Sequence, residues 1–68
     1  MRIELNGEAR DVSEGATVAD LVREAGAAAD GRGVAVALEG EVVPRRVWAE
    51  TRVADGQSVE VLEARQGG

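Results

Sequence analysis

A chain of 68 residues can form one domain, and a domain of that size buries only about 60% of the surface its unfolded chain exposes. With no Cys and no His, disulfides, thiolate nucleophiles and the usual general base at neutral pH are excluded, and the net charge of -5 repels phosphate backbones and anionic lipid, so neither nucleic acid nor membrane is expected as a partner. All eight basic residues are arginine, which leaves no lysine amine to form a Schiff base or accept an isopeptide bond.

Met1, Ile3 and Leu5 alternate with Arg2, Glu4 and Asn6, the period-two signature of a strand with one wet face. The same alternation contains no signal-peptide core or membrane span, which predicts a cytoplasmic protein. Asn6-Gly7 accepts positive φ at both positions and predicts a tight type I′ hairpin, with residues 8–12 as the returning strand. Thr17 and Asp20 have the spacing of a helix-capping pair, and Val18, Leu21, Val22 and Ala25 fall at i, i+3, i+4 and i+7. An amphipathic helix of about ten residues is expected, stopped by Gly26 in a left-handed conformation. Residues 26–33 then read as a mobile, Ala- and Gly-rich connection.

Val34–Leu38 is continuously apolar, as expected of a strand covered at least in part on both faces, with Val34, Val36 and Leu38 on one side. Glu39-Gly40 predicts a second short hairpin, residues 41–43 return, and Pro44, which lacks a backbone donor, either ends the pairing or sits at an edge. Residues 45–53 read as an irregular crossover. Asp55-Gly56 marks a turn into a last strand over 58–64, with Val59 and Val61 on one face and Glu60, Leu62 and Ala64 on the other. The order ββαβββ predicts an α+β domain over residues 1–64: a mixed sheet of four to five strands with one helix packed across one face. The helix stripe would be buried against Ile3, Leu5, Val36, Val59 and Val61. This is the ubiquitin-like β-grasp arrangement, with first and last strands parallel at the centre and residues 65–68 as a flexible tail.

That tail, Arg65-Gln66-Gly67-Gly68, ends in two residues without side chains directly after a core strand. Read blandly, it is a flexible stub. Read chemically, two terminal glycines give a thin extended backbone able to carry a carboxylate into another protein's nucleotide site. A free carboxylate is a poor electrophile, and attack on the α-phosphate of ATP to give an acyl-adenylate is the common activation. Gly31-Arg32-Gly33 follows a helix and precedes a strand, the wrong order for a phosphate loop. Glu39 and Glu41 lie on a short hairpin and read as solvated, so no catalytic residue and no metal-ligating set is expected. Arg45 and Arg46 read as a solvated turn. Trp48, the one aromatic residue, either seals a thin core or anchors a partner, and Leu62 and Ala64 place apolar surface beside the tail, either to dock a partner or for edge packing.

Several of these segments coincide with one known family. The opening strand with Asn6-Gly7, "ATVADLV" over 16–22, "VAVALEGEVVPR" over 34–45 with Trp48 three residues on, "ADGQSVEV" over 54–61 and the terminal Gly67-Gly68 resemble the sulfur carriers of thiamine biosynthesis (ThiS-like proteins) along essentially the whole chain. The resemblance implies a protein cosubstrate, not an enzyme. The Gly68 carboxylate would be adenylated by an ATP-dependent activating enzyme (ThiF-like), converted to a thiocarboxylate with sulfur from a donor such as a cysteine desulfurase, and used by thiazole synthase (ThiG-like). Gly67, Gln66 and Arg65 would thread the partner's channel, and the face around Leu62 and Ala64 would dock. ATP and magnesium would belong to the activating partner, and the free carrier would be a monomer with no cofactor of its own. The small subunit of molybdopterin synthase shares fold, tail and activation but often has a proline before its Gly-Gly, where this chain has Ala64-Arg65-Gln66. A carrier for another sulfur-containing metabolite would look the same. A ubiquitin-like modifier that forms isopeptide bonds through Gly68 and a binding module with an idle tail are alternatives of other classes.

Overall fold

The computed structural model describes residues 1–27 and 32–64, so the expected connection over 26–33 lies partly, and Arg65, Gln66, Gly67 and Gly68 wholly, outside the described residues. Strands β1 (Arg2–Leu5) and β2 (Glu8–Asp11) pair antiparallel with Leu5 opposite Glu8. Between them Asn6 and Gly7 take φ of 51° and 83°, the left-handed values a type I′ turn requires. Met1 and Val12 exchange two hydrogen bonds of 2.8 Å and extend the hairpin by one further pair.

Helix α1 (Val18–Glu24) has seven residues, shorter than the periodicity implies. Its start is a full capping box: the Thr17 hydroxyl accepts from the Asp20 N–H at 3.2 Å, and the Asp20 carboxylate accepts from the Thr17 N–H at 2.9 Å. Its end comes early because Ala25 is the C-cap and is exposed, not the last member of the buried stripe. Gly26, at φ 77°, donates to the Arg23 carbonyl, and Ala27 donates to that of Val22, which together make a Schellman ending.

The remaining strands are β3 (Val34–Leu38), β4 (Glu41–Val42) and β5 (Ser58–Glu63). They complete a mixed sheet of order β2-β1-β5-β3-β4, in which β1 and β5 run parallel and every other pair is antiparallel. Ile3, Leu5, Val36, Val59 and Val61 point to one face and join Val18, Leu21 and Val22 of α1 in a single buried cluster. The other face is open, so β3 is not covered on both sides as its apolar run suggested: Ala35 on that face is exposed.

The segment read as irregular contains a 3₁₀ helix, Arg45–Glu50, started by Pro44 and carrying Trp48 into the core at 6% exposure. Six residues without an apolar period give a sequence little to read, and burial of the indole is what makes the turn worthwhile. The Trp48 indole N–H donates to the Val43 carbonyl at 2.8 Å, so its polar end is satisfied. Beyond it, Val18 donates to the Thr51 carbonyl and Val53 to that of Ala16, which ties the start of α1 to the crossover and buries Ala16 and Val53.

The base of the tail and the open sheet face

Strand β5 is the element that leads to the tail, and it lies in the middle of the sheet with β1 on one side and β3 on the other. On the β3 side its pairing runs from Leu38 opposite Val59 to Val34 opposite Glu63, and one further bond of 2.6 Å runs from the Ala64 N–H to the Gly33 carbonyl. Gly33 has φ 69°, and a Cβ there would lie 3.5 Å from the Ala64 carbonyl oxygen. Glycine therefore suits the place where the chain re-enters the sheet against the last described residue of β5's run. Of the loop read as Gly31-Arg32-Gly33, this contact shows a structural use for Gly33.

On the β1 side the backbone ladder is shorter. Glu4 donates to the Gln57 carbonyl and Asn6 to that of Val59, each at 2.9 Å, and the turn then carries β1 away. The Asn6 side chain takes over: its Nδ2 donates to the Val61 carbonyl at 3.2 Å and its Oδ1 accepts from the Val61 N–H at 2.8 Å. Sequence reasoning placed Asn6 in a turn and missed this second use, because a partner 55 positions away leaves no local signal.

The open face divides into two regions. Over β2 and β1 it is charged: Arg2 pairs with Asp11 at 3.1 Å, and Asp55 accepts from the Arg2 N–H at 2.7 Å. The hydrogen bond and charge of Arg2 hold the Asp11 carboxyl below the usual carboxylate range, and Asp11 in turn raises the Arg2 guanidinium. Both groups are exposed, so the pair adds little stability. Over β5, β3 and β4 the face is mostly apolar, interrupted by the exposed Glu60 opposite Ala37. Leu62 is 66% and Val42 78% exposed, the register sets Leu62 opposite Ala35 and Val42 opposite Ala37, and Ala64 follows Leu62 on the same side. Sequence reasoning found Leu62 and Ala64 and missed Val42, Ala35 and Ala37. The two-residue Glu39-Gly40 turn carried that signal, since it forces Ala37 to face Val42.

Other candidates are engaged structurally. Glu39 is exposed, but its carboxylate accepts from the Ser58 N–H at 2.5 Å and its N–H donates to the Ser58 carbonyl at 2.9 Å, so it holds the start of β5 and is not merely solvated. A concavity of about 500 Å³ between residues 11–16 and α1 carries the carboxylates of Asp11, Glu14, Asp20 and Glu24. Asp11 is held by Arg2, and Asp20 by Thr17 and Arg23. Among the described residues no group of His, Cys, Asp or Glu suits a metal ion, and no helix is long and apolar enough to cross a membrane.

A sequence model of the ThiS family matches residues 3–68. The chain belongs to the ThiS family. Its five-stranded mixed sheet with one helix is the ubiquitin-like β-grasp of ThiS structures. It is similar to the thiamine biosynthesis protein ThiS of Geobacter metallireducens, whose crystal structure is 34% identical, with 100% of both chains covered and a TM-score of 0.79. The solution structure of the thiamine biosynthesis protein from the same organism is 34% identical with a TM-score of 0.81, covering 100% of this chain and 88% of that one. A thiazole synthase of Paramagnetospirillum magneticum (strain AMB-1) contains a segment 38% identical over 68 residues. This ThiS-family chain spans only 20% of that relative's length.

Proposed function

We propose that this ThiS-family chain delivers sulfur for the thiazole of thiamine as a thiocarboxylate on Gly68. The observation that carries the reading is the family match to residues 3–68, which includes the Gly67-Gly68 ending. The apolar open face beside the base of the tail supports it, since an activating enzyme needs a surface to hold while the tail is engaged. The Gly68 carboxylate attacks the α-phosphate of ATP, pyrophosphate leaves, and the acyl-adenylate forms. A sulfide-level sulfur nucleophile then displaces AMP and leaves a C–S bond.

In this reading an adenylating enzyme supplies the site for ATP and magnesium, a cysteine desulfurase is the type of donor that supplies sulfur as a persulfide, a reducing thiol supplies the two electrons that bring that sulfur to the sulfide level, and thiazole synthase is the acceptor. The thiazole synthase relative, in which a segment like this chain is one fifth of a longer protein, supports the last assignment. Gly67, Gln66 and Arg65 thread the partner's channel, and Leu62 and Ala64, extended by Ala35, Ala37 and Val42, form the docking face. The family match favours thiamine over molybdopterin synthesis as the destination.

Intact-mass measurement after incubation with ATP, the cognate adenylating enzyme and a sulfide or persulfide source tests the chemistry. The expected product gains the mass difference of one oxygen replaced by one sulfur, localised to Gly68, and deletion of Gly68 abolishes it. An unchanged mass, beside an enzyme that converts its own carrier in parallel, overturns the reading.

A further inference from the structure

The β1 side of β5 follows a regular count. The carbonyls of Gln57 and Val59 accept from the backbone N–H groups of Glu4 and Asn6, two residues apart on each strand. Continued, the ladder would give the Val61 carbonyl to the N–H of residue 8, but the type I′ turn has turned that residue back into β2. The Asn6 carboxamide occupies the gap. It presents a donor to the Val61 carbonyl and an acceptor to the Val61 N–H, at 3.2 and 2.8 Å, the two roles that two successive peptide groups of a longer β1 would fill. The opposed chemistry of the two Val61 atoms sets which end of the amide is which.

The turn alone does not require this. At φ 51° a glycine or an aspartate would serve as well. A glycine lacks both polar groups, and an aspartate would set a carboxylate oxygen against the Val61 carbonyl. Only an amide side chain of this length completes both bonds. They act three residues before Ala64, and on the opposite edge the Ala64 bond to Gly33 closes the pairing.

We propose that Asn6 is a positioning residue for the tail chemistry, its carboxamide replacing the missing backbone of β1 and setting the course on which β5 passes the chain to residues 65–68. The proposal rests on the assignment of the chemistry to Gly68. Without the bridge the end of the ladder frays from one side, and the activating enzyme must order residues 62–64 before Gly68 can react. The effect therefore falls on KM before kcat.

The test uses the full chain as wild type, Asn6→Gly and, as a control for general loss of stability, Ile3→Val, all well below their melting temperatures. Two quantities are read: the ¹H–¹⁵N heteronuclear NOE of Glu63 and Ala64, and KM and kcat for ATP-dependent activation by the adenylating enzyme. The expectation for Asn6→Gly is a folded chain with lowered NOE at both residues and a KM raised about tenfold, the scale of two lost hydrogen bonds, while Ile3→Val keeps wild-type values. Wild-type NOE or wild-type KM in Asn6→Gly, or equal changes in Ile3→Val, overturns the proposal. A wild-type chain that is not activated counts against the Gly68 chemistry, and the NOE comparison then decides Asn6 by itself.

Discussion

Trp48 fills one end of the core and donates its indole N–H to Val43, so it serves packing and hydrogen bonding at once. Trp48→Ala removes both and is expected to destabilise by about 3–5 kcal/mol. A chain of this length holds only roughly 3–10 kcal/mol in total, so urea denaturation followed by circular dichroism should find a midpoint lowered by about a third or more, with unfolding in the absence of urea if the total lies at the low end; a midpoint close to wild type would contradict the packing argument. Burial of Trp48 was one of two roles its sequence left open, and the structure selects the core. Its setting on a 3₁₀ turn was not legible, since that turn is held by the indole and not by any pattern in Arg45–Glu50. Asn6 repeats the lesson: its turn is written in two adjacent residues, its bond to Val61 only in the sheet order.

Helix α1 is too short to persist alone, so its capping box and its buried face must hold it together. The Thr17 backbone N–H, with Arg23 nearby, holds the Asp20 carboxyl below the usual carboxylate range, while partial burial opposes that shift. A depressed folded-state pKa stabilises the fold above the unfolded value of about 3.9, and the contribution fades as pH falls through the folded value. Asp20→Ala should therefore lower stability by about 1 kcal/mol at pH 7, and the gap from wild type should shrink as pH falls below about 4. Urea midpoints at pH 7 and below that value check it, and a gap that does not change with pH would assign the effect to something other than the carboxylate. The cap was legible from Thr17 and Asp20, and so was Gly26; the length was not, because Ala25 fits the apolar period equally well as a buried residue or as a cap.

At the scale of the whole molecule the sheet presents two unlike regions on its open face, a charged one over β2 and β1 and one over β5, β3 and β4 that is apolar except for Glu60. Leu62→Glu changes the second without entering the core, so its effect on stability should stay within about 0.5 kcal/mol. If this region docks the activating enzyme, kcat/KM for activation should fall by about tenfold or more, as for the loss of a buried apolar anchor. An unaltered kcat/KM would move docking elsewhere. The parallel centre of the sheet was legible from the order of elements, and the alternation in β5 placed Leu62 on the outside; the width of the apolar region depended on the register of β3 with β4.

The middle strand of the sheet is also the last strand among the described residues, and it alone joins the hairpin of β1 and β2 to that of β3 and β4. Its partner β1 lies more than fifty residues upstream, so the contact that completes the fold has the largest loop to close and belongs among the late events of folding. During synthesis the two hairpins cannot join into one sheet until residues 58–63 have been made. A molecule cut short before Ser58 lacks the strand on which both halves and most of the core depend. Reaching the folded state thus acts as an inspection of the chain: any copy that presents an intact sheet to a partner has already been made through the strand from which the tail departs.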